Sequence, residues 1–77
     1  MNLVLDFGNT KIKAAVFSDS NDILEIFTWD KYSEQIINEI KGKYLIDSVL
    51  LCSVVAVANE VEQHLKSNFS FYLRLDS

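Results

Sequence analysis

Leu3-Val4-Leu5-Asp6-Phe7-Gly8-Asn9-Thr10-Lys11-Ile12-Lys13 is the stretch on which both the fold and the chemistry of this chain turn. It opens as an apolar strand, meets an acid at Asp6, and passes through a small polar turn. The chain then alternates again, with Ile12, Ala14 and Val16 on one side and Lys11, Lys13, Ala15 and Phe17 on the other, the period of a half-buried strand. Two strands joined by Gly-Asn-Thr form a hairpin signal, because Gly and Asn tolerate the positive φ that a tight hairpin turn uses. The groups carried by this hairpin are unusual. An acid ends the buried strand, backbone and hydroxyl donors fill the turn, and lysines follow. That set suits a phosphate and its metal ion.

Each residue has a chemical reason to be there. Asp6 offers oxygen ligands, which a hard cation such as Mg²⁺ takes directly or through water. Gly8 has no side chain, so a phosphate can approach the backbone N–H groups closely. Asn9 and Thr10 add neutral donors. Lys13 supplies positive charge, and Lys11 a second one where it points the same way. Phe7 and Ile12 lie inside the segment, so the candidate cofactor-binding stretch is Asp6 to Lys13 without a break. Phosphoryl transfer depends on positioning and charge stabilisation, which these groups provide. The same residues also make an ordinary structural hairpin, in which Asp6 bonds to the N–H groups of its own turn.

The rest of the chain is read outward from this hairpin. Ser18-Asp19-Ser20-Asn21-Asp22 is a polar loop, and Ile23-Leu24-Glu25-Ile26-Phe27-Thr28-Trp29 is a third strand, rich in β-branched and aromatic residues. A helix follows, started by Asp30 or Ser33 with Glu34 in its first turn. It carries Ile36, Ile37, Ile40 and Tyr44 at helical spacing, with Gly42 as its terminator. Val49-Leu50-Leu51-Cys52-Ser53-Val54-Val55 is a nearly continuous apolar run, which suits a parallel strand covered on both faces. A second helix is predicted from about Val57 to Lys66, with Val57, Ala58, Val61 and Leu65 inward, Glu60, Glu62 and Gln63 in water, and Asn68 as the stop. Phe69 to Leu75 makes a fifth strand, before Asp76-Ser77. The order is βββαβαβ. It predicts an α/β (α+β) fold with one mixed five-stranded sheet and helices packed on it, as a single domain over residues 1–77.

Composition excludes several classes. Apolar residues make up 49% of 77, enough for one small core, although a chain this short buries only about 60% of its unfolded surface. Charged residues at 23%, two glycines and no proline argue against disorder. A net charge of −4 argues against nucleic acid as a partner but not against ATP, for which the local field matters. Cys52 is the one cysteine, so no disulfide forms within the chain, and its apolar setting makes it a core residue. Cys52 and His64 alone cannot complete a tetrahedral zinc site. No apolar run approaches membrane-spanning length and no signal peptide precedes the first strand, so a cytoplasmic location without membrane contact is expected. Tyr32 and Tyr44 are read as packing residues, and Trp29 as a core or interface residue. His64 is read as an ordinary histidine, since the sequence places no other titratable group near it.

Asp6-x-Gly8-Asn9-Thr10-x-x-Lys13 resembles the first phosphate motif of the acetate and sugar kinase, heat-shock protein and actin superfamily, and more narrowly the opening of type III pantothenate kinase. Cys52-Ser53-Val54-Val55 is similar to that family's Ser-Val-Val segment, with Ala56 where the family usually has proline. The resemblance implies a ribonuclease-H-like lobe, the N-terminal part of a longer two-lobe bacterial kinase. That parent enzyme would transfer the γ-phosphate of ATP to pantothenate in the first step of coenzyme A biosynthesis. It implies ATP and Mg²⁺ as cofactors, with Asp6 at the metal, directly or through water. It also implies a monovalent cation (K⁺ or NH₄⁺), a homodimeric parent, and a catalytic base in a Gly-x-Asp-Arg motif beyond Ser77. Neither Gly8 nor Gly42 is followed two residues later by Asp, so no catalytic residue is assigned here and the isolated chain is expected to be inactive. The alternatives are another ATP-dependent kinase of the superfamily, or a non-enzymatic regulatory or interaction module with the same fold.

Overall fold

Period-two alternation and helical spacing resolve into seven elements in the computed structural model, which describes residues 1–76 and gives Asp76 by its backbone. They are β1 (Asn2–Phe7), β2 (Ile12–Phe17), β3 (Ile23–Trp29), α1 (Glu34–Lys43), β4 (Ser48–Ser53), α2 (Asn59–Asn68) and β5 (Phe71–Asp76). The five strands form one sheet in the order β3-β2-β1-β4-β5. β2 runs antiparallel to both β1 and β3, while β4 runs parallel to β1 and to β5. All strands except β2 therefore point the same way.

This topology decides where the helices go. The crossovers β3-α1-β4 and β4-α2-β5 travel in the same direction across the sheet. The right-handed rule then places both helices on one face. The core lies between that face and the helices: Leu3, Leu5 and Phe7 of β1, Ile12, Ala14 and Val16 of β2, Val49 and Leu51 of β4, Ile36, Ile37 and Ile40 of α1, and Leu65 of α2 are all buried. The helices are joined at their far ends, where Lys41 Nζ lies 3.1 Å from both the carbonyl and the side-chain oxygen of Asn68.

The opposite sheet face is left without a helix among the described residues, and this corrects one expectation. Val49, Leu51 and Ser53 of β4 are buried, but Leu50 and Cys52 are half-buried on the open side. β4 is covered on one face only, because both crossovers pass over the same side. Ile26, Phe71, Leu73 and Leu75 extend the open face, each between 47% and 62% exposed.

Local corrections have equally local causes. Neither glycine has positive φ, and the non-glycine residue that does is Asn21, at φ 67°, in the second hairpin loop. The Gly8-Asn9-Thr10 turn thus closes without left-handed backbone. A side chain at Gly8 is disfavoured for a different reason: a Cβ there would stand 3.2 Å from the Lys11 carbonyl oxygen, a tight contact that would push that oxygen aside by a few tenths of an ångström. Ser33 takes the N-cap position of α1 with extended backbone but makes no side-chain cap bond. Gly42 lies inside α1 rather than ending it; the helix runs to Lys43, and the Tyr44 N–H bonds back to the Ile40 carbonyl at 2.9 Å. α2 begins at Asn59, two residues past its expected start, and Ala58 at its N-cap is exposed. Glu62 does not face water. It accepts from the Tyr72 hydroxyl at 2.8 Å and from Arg74 Nη1 at 2.6 Å.

Two predictions follow from these details. A Cβ at Gly42 meets nothing within 4 Å. Gly42→Ala is therefore expected to stabilise the chain by about 0.5–1 kcal/mol in urea unfolding, the helix-interior difference between the two residues. A loss of stability would show that the last turn of α1 is not helical. The second concerns acid. The Tyr44 hydroxyl (2.7 Å), then Lys43, hold the Glu25 carboxyl below its ordinary value of 4.5; the Tyr72 hydroxyl, then Arg74, do the same for Glu62. A carboxyl with a lower pKa folded than unfolded adds stability above its ordinary value and loses it as the pH falls through the folded one. The melting temperature is thus expected to drop as the pH falls below 4.5, and the Glu25→Gln, Glu62→Gln double variant should show a shallower slope. An unchanged slope would assign acid sensitivity to other carboxyls.

Candidate functional site

The candidate stretch sits at the C-terminal end of β1, beside the C-terminal ends of β3, β4 and β5. That is the edge of an α/β sheet at which ligands bind, because loops and helix starts gather there. Asp6 and Lys13 are Cα partners across the β1–β2 ladder. Both are exposed, and both project from the open face. Directly paired residues on one face place their Cβ atoms about 4.5–5.5 Å apart. The pair nevertheless forms no ion pair: the side chains of Asp6, Asn9, Thr10 and Lys13 make no hydrogen bond or salt bridge to another described residue. Asp6 is flanked on the other side by Cys52, and Lys13 by Thr28.

The turn itself is held by few bonds. The Gly8 N–H donates to the Lys11 carbonyl at 3.0 Å, and Asn9 and Thr10 are exposed at its tip. Phe7 and Ile12 bury their side chains in the core, at 7% and 6% exposure, so they offer the exposed turn only backbone groups. Lys11 does not join Lys13. Its Nζ lies 3.0 Å from Asp30 Oδ1, an exposed pair of the kind that contributes little and exchanges readily.

Behind the turn, the Val54 N–H donates to the Phe7 carbonyl at 3.3 Å. Ser53 Oγ bonds both the carbonyl and the N–H of Val55, folding the chain sharply at the end of β4. Among the described residues no three metal-ligating side chains converge. A cation here would have Asp6 as its protein ligand and would take its other ligands from phosphate and water. Mg²⁺ accepts that arrangement, and zinc does not.

A cluster that the sequence hid lies just beneath. The Tyr32 hydroxyl bonds His64 Nδ1, and His64 Nε2 lies 4.0 Å from Glu34 Oε1. The Tyr32 ring packs on Phe7 at 5.9 Å between centroids and meets His64 edge-on at 6.0 Å. Burial first, then the Glu34 charge, pushes the Tyr32 phenol up to about 12. His64 therefore has two titratable neighbours, contrary to the sequence reading. They come from the β3–α1 loop and α1, and only the shared helix face brings them to α2. The direction of the two crossovers was the one signal that could have found them.

Sheet order, two crossover helices on one face and a polar turn after β1 define a ribonuclease-H-like lobe. Over most of its length the chain is similar to type III pantothenate kinases: it is 40% identical over 78 aligned residues to the one from Christiangramia forsetii, and 27% identical over 66 to the one from Phocaeicola vulgatus. These alignments cover 99% and 86% of this chain but 31% and 27% of the relatives, so it spans less than a third of their length. No protein-family model matches the chain. No helix among the described residues is long and apolar enough to cross a membrane.

Proposed function

We propose that this chain is the ATP-phosphate lobe, the N-terminal part, of a type III pantothenate kinase. The observation that carries this reading is the unpartnered Asp6–Lys13 pair beside the open Gly8-Asn9-Thr10 turn, in a chain similar to such kinases along nearly all its length. The turn's N–H groups, with Asn9 and Thr10, receive phosphate oxygens. Lys13 offsets their charge, and Asp6 holds Mg²⁺ or its water shell. Mg²⁺, held there by Asp6, would supply positive charge to offset that of the transferring phosphoryl group. Asp6 and Lys13 stand side by side, so a cation and an anion can be bound together without either residue leaving the sheet.

In the parent enzyme the γ-phosphate of ATP goes to the primary hydroxyl of pantothenate. The base that takes the hydroxyl proton, the K⁺ or NH₄⁺ site and the contacts of a homodimer belong to parts of the kinase outside residues 1–77. A cytoplasmic setting, where ATP is available, belongs to the same reading. The test is a titration of the ¹⁵N-labelled chain with Mg·ATP. The amides of Gly8, Asn9, Thr10 and Lys11 are expected to shift most, and a coupled ADP-release assay on this chain alone is expected to show no pantothenate-dependent turnover. Shifts confined to other regions would overturn the site, and clear turnover would overturn its reading as half a cleft.

A further inference from the structure

The turn at Gly8–Lys11 is poorly restrained by itself. One backbone bond closes it, and its tip residues have no side-chain partners among the described residues. A phosphate cradle works only when its N–H groups are held in place before the ligand arrives. Beyond the β1–β2 ladder and the Val54 bond to the Phe7 carbonyl, a restraint on side-chain placement is available from Phe7, the last residue of β1 before the turn, whose ring is buried. That ring rests on Tyr32. Tyr32 in turn belongs to a stretch between β3 and α1 with no regular structure, so its own position needs explaining. One contact supplies it: the Tyr32 hydroxyl is held by His64 Nδ1, whereas the exposed Asp30–Lys11 pair adds little. His64 is carried on α2 next to Leu65, which is fully buried, so it is a fixed post.

We propose that Tyr32, anchored by His64, is a positioning residue for the phosphate-binding turn: it fixes the Phe7 ring, and through Phe7 the backbone of Gly8 to Lys11, against α2. This rests on reading that turn as the phosphate site. The chemistry of the anchor is specific. In the tautomer whose Nδ1 accepts from the phenol, the neutral imidazole carries its proton on Nε2, toward Glu34 Oε1. When His64 takes a second proton, Nδ1 becomes a donor and the Tyr32 hydroxyl must turn to accept. Tyr32 from the β3–α1 loop and Glu34 from α1 are the titratable groups facing the imidazole; Phe7 of β1 brings no charge, and on α2 itself Glu60 lies one turn earlier.

The test exploits the fact that the chain has a single histidine. In ligand-free ¹⁵N NMR, the Gly8, Asn9 and Thr10 amides are expected to shift with the midpoint of the His64 ring. In Tyr32→Phe, which keeps the ring on Phe7, that shift should vanish from the turn while His64 still titrates. With inorganic triphosphate and Mg²⁺ as the probe at neutral pH, Tyr32→Phe should weaken binding about three- to tenfold, the worth of one hydrogen bond, with little change in melting temperature. His64→Asn, whose side-chain oxygen can stand in for Nδ1, should restore near-normal binding without the pH response. Turn amides that ignore the His64 midpoint, or follow it unchanged in Tyr32→Phe, would overturn the proposal. If triphosphate fails to bind the unmodified chain, the phosphate reading falls while the amide titration still decides the anchor.

Discussion

Leu51→Ala is expected to leave the chain largely unfolded near physiological temperature, whereas Leu50→Ala, one residue earlier in the same strand, is expected to leave it folded. Leu51 is fully buried and is the ladder partner of Leu5, itself fully buried, at the centre of the β1–β4 pairing. Removing a buried leucine side chain costs about 2–5 kcal/mol, because the lost transfer energy is joined by a cavity that the surroundings fill only in part. A chain of 77 residues has roughly 4–12 kcal/mol to lose at ordinary stability per residue. This one belongs at the low end, since its open face keeps Ile26, Phe71, Leu73 and Leu75 exposed. Leu50 is half-buried on that face, where truncation leaves no enclosed cavity. Urea unfolding followed by circular dichroism separates the two. Equal destabilisation at both positions would mean that β4 is covered on both sides.

That contrast also shows where the sequence was legible. Alternation at Ile12, Ala14 and Val16 identified the inward face of β2 without help, because a two-residue period survives in any half-buried strand. The isoleucines of α1 were equally plain, and all three are buried. β4 was not. Its apolar run predicts burial on both faces, yet local pattern cannot say whether the second face is covered within the same stretch of chain. Glu62 was lost for a related reason. Helical spacing placed it toward water, while β5 brought Tyr72 and Arg74 across to it. Within the candidate site, the proximity of Asp6, Gly8 and Lys13 is legible because they are close in sequence and share one hairpin. The Lys11–Asp30 pair and the Tyr32–His64 contact join residues far apart in the chain, so only the topology reveals them. At Gly8 the structure shows crowding by a carbonyl oxygen, not the left-handed backbone that the hairpin signal predicts.

Asp6→Asn, made in a full-length kinase that carries this lobe, is expected to lower kcat/KM by about 10²–10³, the usual cost of deleting one charge-stabilising group at a phosphoryl- or acyl-transfer centre. The fold should hardly respond. Asp6 is exposed and has no hydrogen bond or ion pair to another described residue, and asparagine preserves its shape. A surface change of that kind stays within about 0.5 kcal/mol of neutral. On the proposed reading, Lys13→Ala should act in the same direction, since it would remove a charge facing the phosphate. The double variant should lose less than the sum of the two, because Asp6 and Lys13 are ladder partners and would act on the same Mg·phosphate group. Rates from an ADP-coupled assay with pantothenate, set beside melting curves of the same variants in the 77-residue chain, separate chemistry from structure. A large rate loss with an unshifted melting curve assigns Asp6 to the reaction. Parallel losses of rate and stability would return it to the ordinary role of an acid that holds its own hairpin turn, and the unpartnered carboxylate would then need a structural explanation that the open face at the end of β1 does not offer.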